Sequence, residues 1–192
     1  MRRSLFLVVV LVPACHSGKA ATPAPVTPAA PSSSPAALDS LDLTACDDRG
    51  VSNGDFVVAD RTGAASLFVC RDGDASRAVL EVIDNGDSHR EQLATWTGDG
   101  TRWALQGSIV DETGPDALIL WSATDAGDHH AESLRLVSYA GGKQAILWSG
   151  DGASATLDGM APVGTFAADL TDDSGVSHRV TQLLHGGTLT AP

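Results

Sequence analysis

Lysine, glutamate and long apolar runs are all scarce in this chain of 192 residues. Lys19 and Lys143 are the two lysines, and only 4 of the 24 acidic residues are glutamates. Lysine and glutamate favour helices, whereas aspartate and glycine favour turns. No stretch shows a sustained period of 3.6 residues either, so the sequence argues against a helical fold. The 20 glycines and the many aspartates indicate short strands joined by many turns.

The longest apolar run lies near the start of the chain and is too short to span a membrane. Residues 5–12 are all apolar, whereas a spanning helix needs roughly 20 such residues. The run follows Arg2 and Arg3 and precedes small residues, which is the pattern of a cleaved export signal. No later segment approaches membrane-spanning length, so the sequence predicts no integral membrane domain.

The segment Val12-Pro13-Ala14-Cys15 resembles a bacterial lipobox, in which an aliphatic residue at −3 and a small residue at −1 precede a cysteine. The resemblance implies that residues 1–14 are a signal peptide and that Cys15 is acylated. Two or three acyl chains hold a protein on a membrane, whereas one chain binds only marginally. The residue after Cys15 is His16 and not aspartate. In the enteric pattern, the absence of aspartate at this position favours the outer membrane of a Gram-negative cell. The alternative is an ordinary signal peptide, cut at Ala14 or a little later.

A proline-rich segment follows the cysteine. Residues 15–40 are mainly alanine, proline, serine and threonine, and such a segment cannot bury enough apolar area to offset the entropy of ordering. Prolines recur every few residues, at Pro23, Pro25, Pro28, Pro31 and Pro35. This spacing favours extended polyproline conformations, in which roughly 20 residues reach about 60 Å. We predict a spacer that holds the next domain away from the membrane.

Residues 41–192 have the length of one domain with its own core. Without Arg2 and Arg3, the chain has 10 lysines and arginines against 24 acidic residues, a net charge of −14. A surface of that sign repels nucleic acid and anionic lipid head groups. The sequence therefore predicts no nucleic-acid partner, and it predicts membrane contact through the lipid anchor.

The chain has three cysteines, and lipidation of Cys15 leaves Cys46 and Cys70 as a pair. Exported proteins reach an oxidising compartment, where such pairs form disulfides. A Cys46–Cys70 bond closes a loop of about 25 residues and contributes ~3 kcal/mol in the chain-entropy model. The spacing differs from C-x-x-C, so it does not indicate a redox pair.

Short runs of β-favouring residues alternate with turns rich in glycine and aspartate. They cover residues 56–59, 66–70, 79–83, 92–97, 103–110, 117–122, 133–139, 144–149, 165–170 and 177–185. Asn85-Gly86 and Asp99-Gly100 are strong signals for tight hairpins. The pattern predicts an all-β domain, an antiparallel sandwich or barrel of roughly 8–11 short strands built from hairpins.

A hairpin unit flanked by glycine turns recurs along the domain at irregular spacing, with first strands near Phe56, Val79, Leu118 and Phe166. The pattern resembles the FG-GAP and VCBS repeats of β-propellers, in which an acidic calcium loop leads into an apolar strand. Residues 111–116 look like a shortened version of that loop. The resemblance implies an incomplete β-propeller as the alternative fold. The alternating Asp or Asn ligands are missing, whereas calcium takes about 6–8 oxygens.

The best metal constellation in the sequence is Asp125, Asp128, His129 and His130. Adjacent histidines on an extended strand point to opposite faces, whereas zinc needs three or four converging ligands. A solvated turn between two strands explains the same four residues. We therefore expect no metal and no cofactor. A metal, if one bound, would use Asp125, Asp128, His129 and His130 as its ligands.

Aromatic residues are spread singly through the predicted strands, at Trp96, Trp103, Trp121, Trp148 and Tyr139. Aromatic side chains in such positions either stack on sugars or peptides or pack within the protein, and packing is the more common role. The sequence therefore predicts packing against the sheets.

Several motifs of catalytic sites are missing from the sequence. It lacks the metal-binding H-E-x-x-H, the phosphate-binding G-x-x-x-x-G-K-[ST] and the dinucleotide-binding G-x-G-x-x-G. Scattered residues can still assemble a triad, and an envelope hydrolase would have to gather His89, His129 or His178 with an aspartate in one cleft.

The anchor, the spacer and the β-rich domain together predict a lipid-anchored protein of the bacterial cell envelope. We predict that its domain binds a partner, such as another envelope protein, without catalysing a reaction. Two alternatives remain open. One is an exported inhibitor of an enzyme such as lysozyme, because an acidic surface can dock a basic enzyme. The other is an envelope hydrolase.

Overall fold

The computed structural model describes residues 38–191. The predicted signal peptide, Cys15 and the predicted spacer up to residue 37 lie outside the described residues. The strands are β1 (Asp47–Gly54), β2 (Gly63–Asp72), β3 (Ala75–Asp84), β4 (Asp87–Thr97), β5 (Thr101–Ile109), β6 (Ala117–Ala126), β7 (His129–Ser138), β8 (Ala145–Gly152), β9 (Ser154–Leu157), β10 (Thr165–Thr171), β11 (Ser177–His185) and β12 (Thr188–Thr190). Short 3-10 turns occur at Leu43–Ala45 and Ala140–Gly142. Within residues 38–191, no helix has the length and apolarity needed to cross a membrane.

The strands form three sheets, and each sheet is a four-stranded antiparallel meander. The first sheet has the order β1-β2-β3-β4, the middle sheet β5-β6-β7-β8 and the last sheet β12-β11-β10-β9. This confirms the predicted antiparallel all-β fold built from hairpins. The described strands outnumber the predicted 8–11 because β1, β9 and β12 were not anticipated. These are short or polar strands at sheet edges, where one row of backbone groups lacks a ladder partner and apolar alternation is weak.

The middle sheet lies between the other two and is buried on both faces. Along β6, Leu118 and Leu120 pack in a cluster with the first sheet, whereas Ala117 and Ile119 pack in a cluster with the last sheet. This alternation follows from the two-residue period of an extended strand. Burial of each aliphatic side chain such as leucine contributes about 1.5–3 kcal/mol. The fold is therefore a sandwich of three stacked sheets, and its core consists of the two interfaces of the middle sheet.

A third apolar cluster covers the outer face of the first sheet. Leu38 and Leu43, in the segment before β1, pack there with Cys70 and Val79. A disulfide joins Cys46 to Cys70 on β2, with their Cα atoms 4.4 Å apart, which confirms the predicted pairing. The segment that enters the domain is thus held to the first sheet by apolar burial and by a covalent bond.

Arg90 on β4 fixes the same entry segment through hydrogen bonds. Its Nη1 donates to the carbonyl oxygens of Leu38 at 3.2 Å and Leu41 at 2.9 Å. It also donates to the carbonyl of Asp39 at 3.3 Å. The Nε of Arg90 lies 2.8 Å from Glu81, whose side chain is also largely buried. One guanidinium therefore ties three backbone carbonyls to the sheet.

The predicted strand at residues 56–59 is wrong, because these residues form part of the loop between β1 and β2. Phe56 is 1% exposed and Val57 is 7% exposed, and both fill the core between the first and middle sheets. The carbonyl of Val57 accepts from Gly141 N at 2.9 Å. A short apolar run does not distinguish a strand from a loop that closes a core.

The two strong hairpin signals have opposite outcomes. Asn85-Gly86 joins β3 to β4, with φ values of 49° and 89°, as a type I′ turn requires. Asp99-Gly100 instead lies between β4 and β5, which belong to different sheets, so that hairpin prediction is wrong. Asp125 N donates to the Gly100 carbonyl at 2.6 Å, and a Cβ on Gly100 would meet the Asp125 carbonyl oxygen at 2.4 Å. The glycine there permits a close contact with the middle sheet.

Candidate functional site

A cleft of about 280 Å³ lies at one end of the first sheet, beside the start of β5. We call it the arginine–tryptophan cleft, and its lining includes Arg49, Arg71, Trp96, Asp99, Arg102 and Trp103. These residues come from β1, β2, β4, β5 and the connection between β4 and β5. The stacking of the first sheet on the middle sheet therefore brings together residues that are distant in the sequence.

Each arginine of this cleft is held by an aspartate at the surface. The pairs, with their N–O distances, are Arg49–Asp47 (3.1 Å), Arg71–Asp99 (3.6 Å) and Arg102–Asp125 (3.1 Å). All six side chains are between 45% and 91% exposed. Ion pairs this exposed contribute about 0–1 kcal/mol, so their donors and acceptors remain available to a ligand.

Trp103 forms a buried part of the cleft wall. It is 6% exposed, and the guanidinium of Arg135 lies over its ring at 5.3 Å from the centroid, a cation–π distance. Its indole Nε1 is buried without a hydrogen-bond partner, a condition that among residues 38–191 it shares only with Ser133 Oγ. A buried donor without an acceptor costs roughly 1–3 kcal/mol. An acceptor that reaches Nε1 would remove this cost.

A second, more open cleft of about 480 Å³ lies between β4 and the turn that follows β7. Tyr139 is 2% exposed and donates to Glu91 Oε2 at 3.0 Å. With its amide oriented for donation, Gln144 also donates to the Glu91 carboxylate. Burial raises the pKa of Glu91, although the hydrogen bond from Tyr139 acts in the opposite direction. The cleft also contains His89 and Lys143, so it offers a cation beside a carboxyl group.

The acidic loop at residues 111–116 uses its first carboxylate to hold backbone groups. Asp111 Oδ2 accepts from Gly187 N at 2.6 Å. Its Oδ1 accepts from Gly186 N at 3.2 Å and from Thr113 N at 2.9 Å. Burial acts to raise the pKa of Asp111, but the hydrogen bonds from Gly187, Thr113 and Gly186 outweigh it and hold that pKa below its ordinary value. The carboxylate therefore joins this loop to the turn between β11 and β12.

The last carboxylate of the loop has a similar role. Asp116 is 6% exposed, and it accepts from the backbone N–H groups of Asp111 at 2.9 Å and Asp55 at 3.0 Å. In the calcium loops that this segment resembles, such carboxylates face an ion. In this structure they face backbone donors, and they fix the chain where the middle sheet meets its neighbours.

Two of the four metal candidates lie together. β6 and β7 are joined by a tight turn, so Asp125 stands directly opposite His130 in the register. His130 Nδ1 lies 2.5 Å from Asp125 Oδ1, and His130 Nε2 lies 3.3 Å from Glu132 Oε1. The second oxygen of Glu132 accepts from Ala155 N at 2.8 Å. This histidine therefore lies between two carboxylates, and one of them reaches the start of β9.

The other two candidates stand apart from this contact. Asp128 lies in the turn, and His129 pairs in the register with Ala126. Across the part of the chain that the structure describes, no group of three or more His, Cys, Asp or Glu side chains is arranged to hold a metal ion. The turn lies at residues 127–128, and the register that follows from it places His130, and not His129, opposite Asp125.

His130 is expected to titrate above the ordinary histidine pKa of about 6.5. The hydrogen bond to Asp125 and then that to Glu132 raise the pKa of His130. The stability that this raised pKa provides is therefore fully present below about pH 6.5 and is lost as the pH rises through the raised value. An NMR titration of the imidazole checks this, with Asp125→Asn as the comparison variant. The expected result is a lower midpoint in the variant, and equal midpoints contradict the assignment.

The histidines that a hydrolase would need lie on three different sheets. His89 is on β4 of the first sheet, His129 on β7 of the middle sheet and His178 on β11 of the last sheet. His89 lines the second cleft together with Asp39 and Glu91, whereas the other two histidines do not line it. The structure therefore disperses the three histidines and places one of them, His89, in a cleft with an aspartate.

One serine motif belongs to the sequence but has no catalytic setting in the structure. Gly50-Val51-Ser52-Asn53-Gly54 fits the G-x-S-x-G pattern of hydrolases, which places the serine on a sharp turn between a strand and a helix. Ser52 lies instead on the edge strand β1, where its Oγ donates to Ser108 Oγ at 3.0 Å. The hydroxyl thus links β1 to β5 and has no histidine as its partner.

No protein family model matches this chain. Comparisons with curated proteins and with solved structures likewise found no match.

Proposed function

We propose that this chain is a lipid-anchored protein of the bacterial cell envelope whose β-domain binds a partner without catalysis. The observation that carries this proposal is the order of its segments. The lipobox-like Val12-Pro13-Ala14-Cys15 precedes a proline-rich spacer, and the spacer leads into a disulfide-bonded domain. Acyl chains fix a protein at a membrane, and an extended spacer lets a domain reach outward from it.

The Cys46–Cys70 disulfide supports the proposed export. Structural disulfides persist in oxidising compartments and are rare in the cytosol of most cells. The arginine–tryptophan cleft supports a binding role, because Arg and Trp are enriched among the residues that dominate binding energy at interfaces. Its side chains come from packed strands, so the cleft is formed before any ligand arrives.

Replacement of Cys15 by serine tests the anchor. The C15S variant is expected to lose incorporation of a labelled fatty acid and to leave the membrane fraction, because the acylated thiol is gone. The Cys46→Ser/Cys70→Ser variant is the matched control, since it removes two thiols but keeps Cys15. Unaltered labelling and fractionation of the C15S variant contradict the proposal.

An exported enzyme inhibitor is the second candidate, and the charge of the domain favours it. Residues 38–191 contain all 24 acidic residues against nine arginines and lysines, and eight of those nine are engaged in ion pairs or a ring contact. The surplus charge is therefore negative and would attract a basic enzyme such as lysozyme. Purified protein added to a lysis assay decides between the two candidates. Slower lysis supports inhibition, undiminished lysis excludes it, and turnover of a cell-wall substrate by the protein alone would favour a hydrolase.

A further inference from the structure

We infer that the arginine–tryptophan cleft is a binding site for a neutral saccharide, an inference that rests on the binding role proposed above. Sugar hydroxyls each donate and accept hydrogen bonds, and one face of a pyranose ring is largely apolar. A matching site therefore needs donors and acceptors side by side, without excess charge, next to an aromatic surface. The cleft has each of these features.

The paired charges supply the donors and acceptors. A guanidinium offers five N–H donors in a fixed plane, and a carboxylate offers two acceptor oxygens. In the Arg71–Asp99 pair, both partners line the cleft, and the side chains are 66% and 91% exposed. A vicinal diol could accept a hydrogen bond from Arg71 and donate one to Asp99. Both charges are exposed, so this binding does not require the separation of a buried ion pair. Each of the three arginines that line the cleft is paired with its own aspartate, so the ion pairs sum to no net charge, which fits an uncharged ligand, although Asp47 and Asp125 lie outside the cleft lining.

Tryptophan supplies the apolar surface. Trp96 is half-buried on β4 and lines the cleft, so part of its indole surface is accessible, and aromatic side chains contribute large contact areas. Trp103 is a buried part of the same lining, and its Nε1 is closed to solvent. The contact with a sugar ring therefore comes from Trp96.

The size and the charge of the surroundings narrow the ligand class. A volume of about 280 Å³ is just below the roughly 300–1,000 Å³ of small-molecule sites, so the cleft takes one or two sugar rings of a longer chain. The strongly acidic domain repels polyanions before contact. A carboxylated glycan is therefore disfavoured. A peptide is also disfavoured, because a cleft lined mainly by charged and polar groups offers no apolar pockets for its side chains.

The experiment uses the full mature protein in detergent. It measures binding of each probe by tryptophan fluorescence and by calorimetry. The probes are chitotetraose, cellotetraose and maltotetraose as neutral glycans, a galacturonate tetramer as the anionic glycan and tetra-alanine as the peptide. We expect saturable binding of at least one neutral probe, weakened about tenfold by Arg71→Ala and more by Trp96→Ala. Arg179→Ala is the matched control, since Arg179 is 52% exposed and ion-paired on the last sheet, and it should leave binding unchanged.

Several results overturn the inference. These are no saturable binding of any neutral probe, tighter binding of the anionic glycan or the peptide, or equal binding by the Arg71→Ala and Arg179→Ala variants. Capture from a solubilised envelope fraction separates this failure from failure of the proposed function. If wild type and Arg71→Ala retain the same envelope component, the binding role stands and the saccharide site is wrong. If wild type retains nothing, the binding role itself fails.

Discussion

Replacement of Asp111 by alanine is expected to lower the free energy of unfolding by about 3 kcal/mol, because a buried carboxylate is lost as an acceptor and a hydrogen bond to a charged group contributes roughly 1.5–3 kcal/mol. The side chain is 6% exposed and accepts from the backbone N–H groups of Thr113, Gly186 and Gly187. Two of these groups lie in the turn between β11 and β12, so the substitution also weakens the link between the last sheet and the loop before β6, where Gly186 N keeps Thr113 Oγ1 as an acceptor at 2.8 Å. Urea unfolding followed by tryptophan fluorescence measures the change.

Asp172→Ala is the matched control for this prediction. Asp172 also accepts from backbone N–H groups, those of Ser174 and Val176, each at 2.9 Å. Its loop is exposed, so water can satisfy the released donors and the expected loss is below about 1 kcal/mol. If Asp111→Ala costs no more than Asp172→Ala, then the carboxylate of Asp111 does not join the last sheet to the middle sheet.

The stability that Asp111 contributes also depends on pH. Because the folded state lowers the pKa of Asp111, its stabilisation is present above the ordinary aspartate pKa of about 3.9 and is lost as the pH falls through the lowered value. When the pH is lowered from neutral to below about 3.9, the Asp111→Ala variant should therefore lose less unfolding free energy than wild type.

Loss of the Cys46–Cys70 disulfide is the second large effect, and it is expected to cost about 3 kcal/mol of unfolding free energy. The bond spans 24 positions, so its removal restores chain entropy to the unfolded state. It also removes the covalent link between the first sheet and the segment that carries Leu38 and Leu43. Urea unfolding of the Cys46→Ala/Cys70→Ala variant measures the cost.

A reductant separates the covalent contribution from the change of side chains. Wild type should lose most of the same stability when it is reduced, whereas the double variant should be indifferent to reductant. Equal transition midpoints of oxidised and reduced wild type contradict a stabilising role for the bond.

Local patterns predicted most of the strands, because alternation and turn residues act over a few positions. Asn85-Gly86 is an example, since two left-handed residues determine a type I′ turn wherever the flanking strands pair. Asp99-Gly100 is a hairpin signal of the same kind, but its hairpin prediction was wrong, because its conformation depends on a contact with Asp125 in another sheet. The strand predicted at Phe56 was wrong for a related reason. Its burial depends on a gap between two sheets, and no local pattern reports that gap.

The sites were harder to predict than the strands. Asp125 and His130 belonged to a predicted cluster, but only the register of β6 and β7 decides that His130, and not His129, meets the aspartate. Arg49, Arg71 and Arg102 each stand next to at least one polar residue and look like ordinary solvated positions in the sequence. They share a cleft because the first sheet packs on the middle sheet, and that layering cannot be deduced from spacing along the chain.

The way the chain enters its first sheet determines how the domain responds to mechanical load. A pull on the chain ahead of Leu38 reaches the hydrogen bonds of Arg90 first, and it then meets a covalent cross-link at Cys46. Force is thereby passed sideways into β2 rather than along β1, so the edge strand is shielded from being peeled away. Drag on a ligand in the arginine–tryptophan cleft would be borne by the first sheet and by β5 of the middle sheet, while the last sheet lies outside the line of tension.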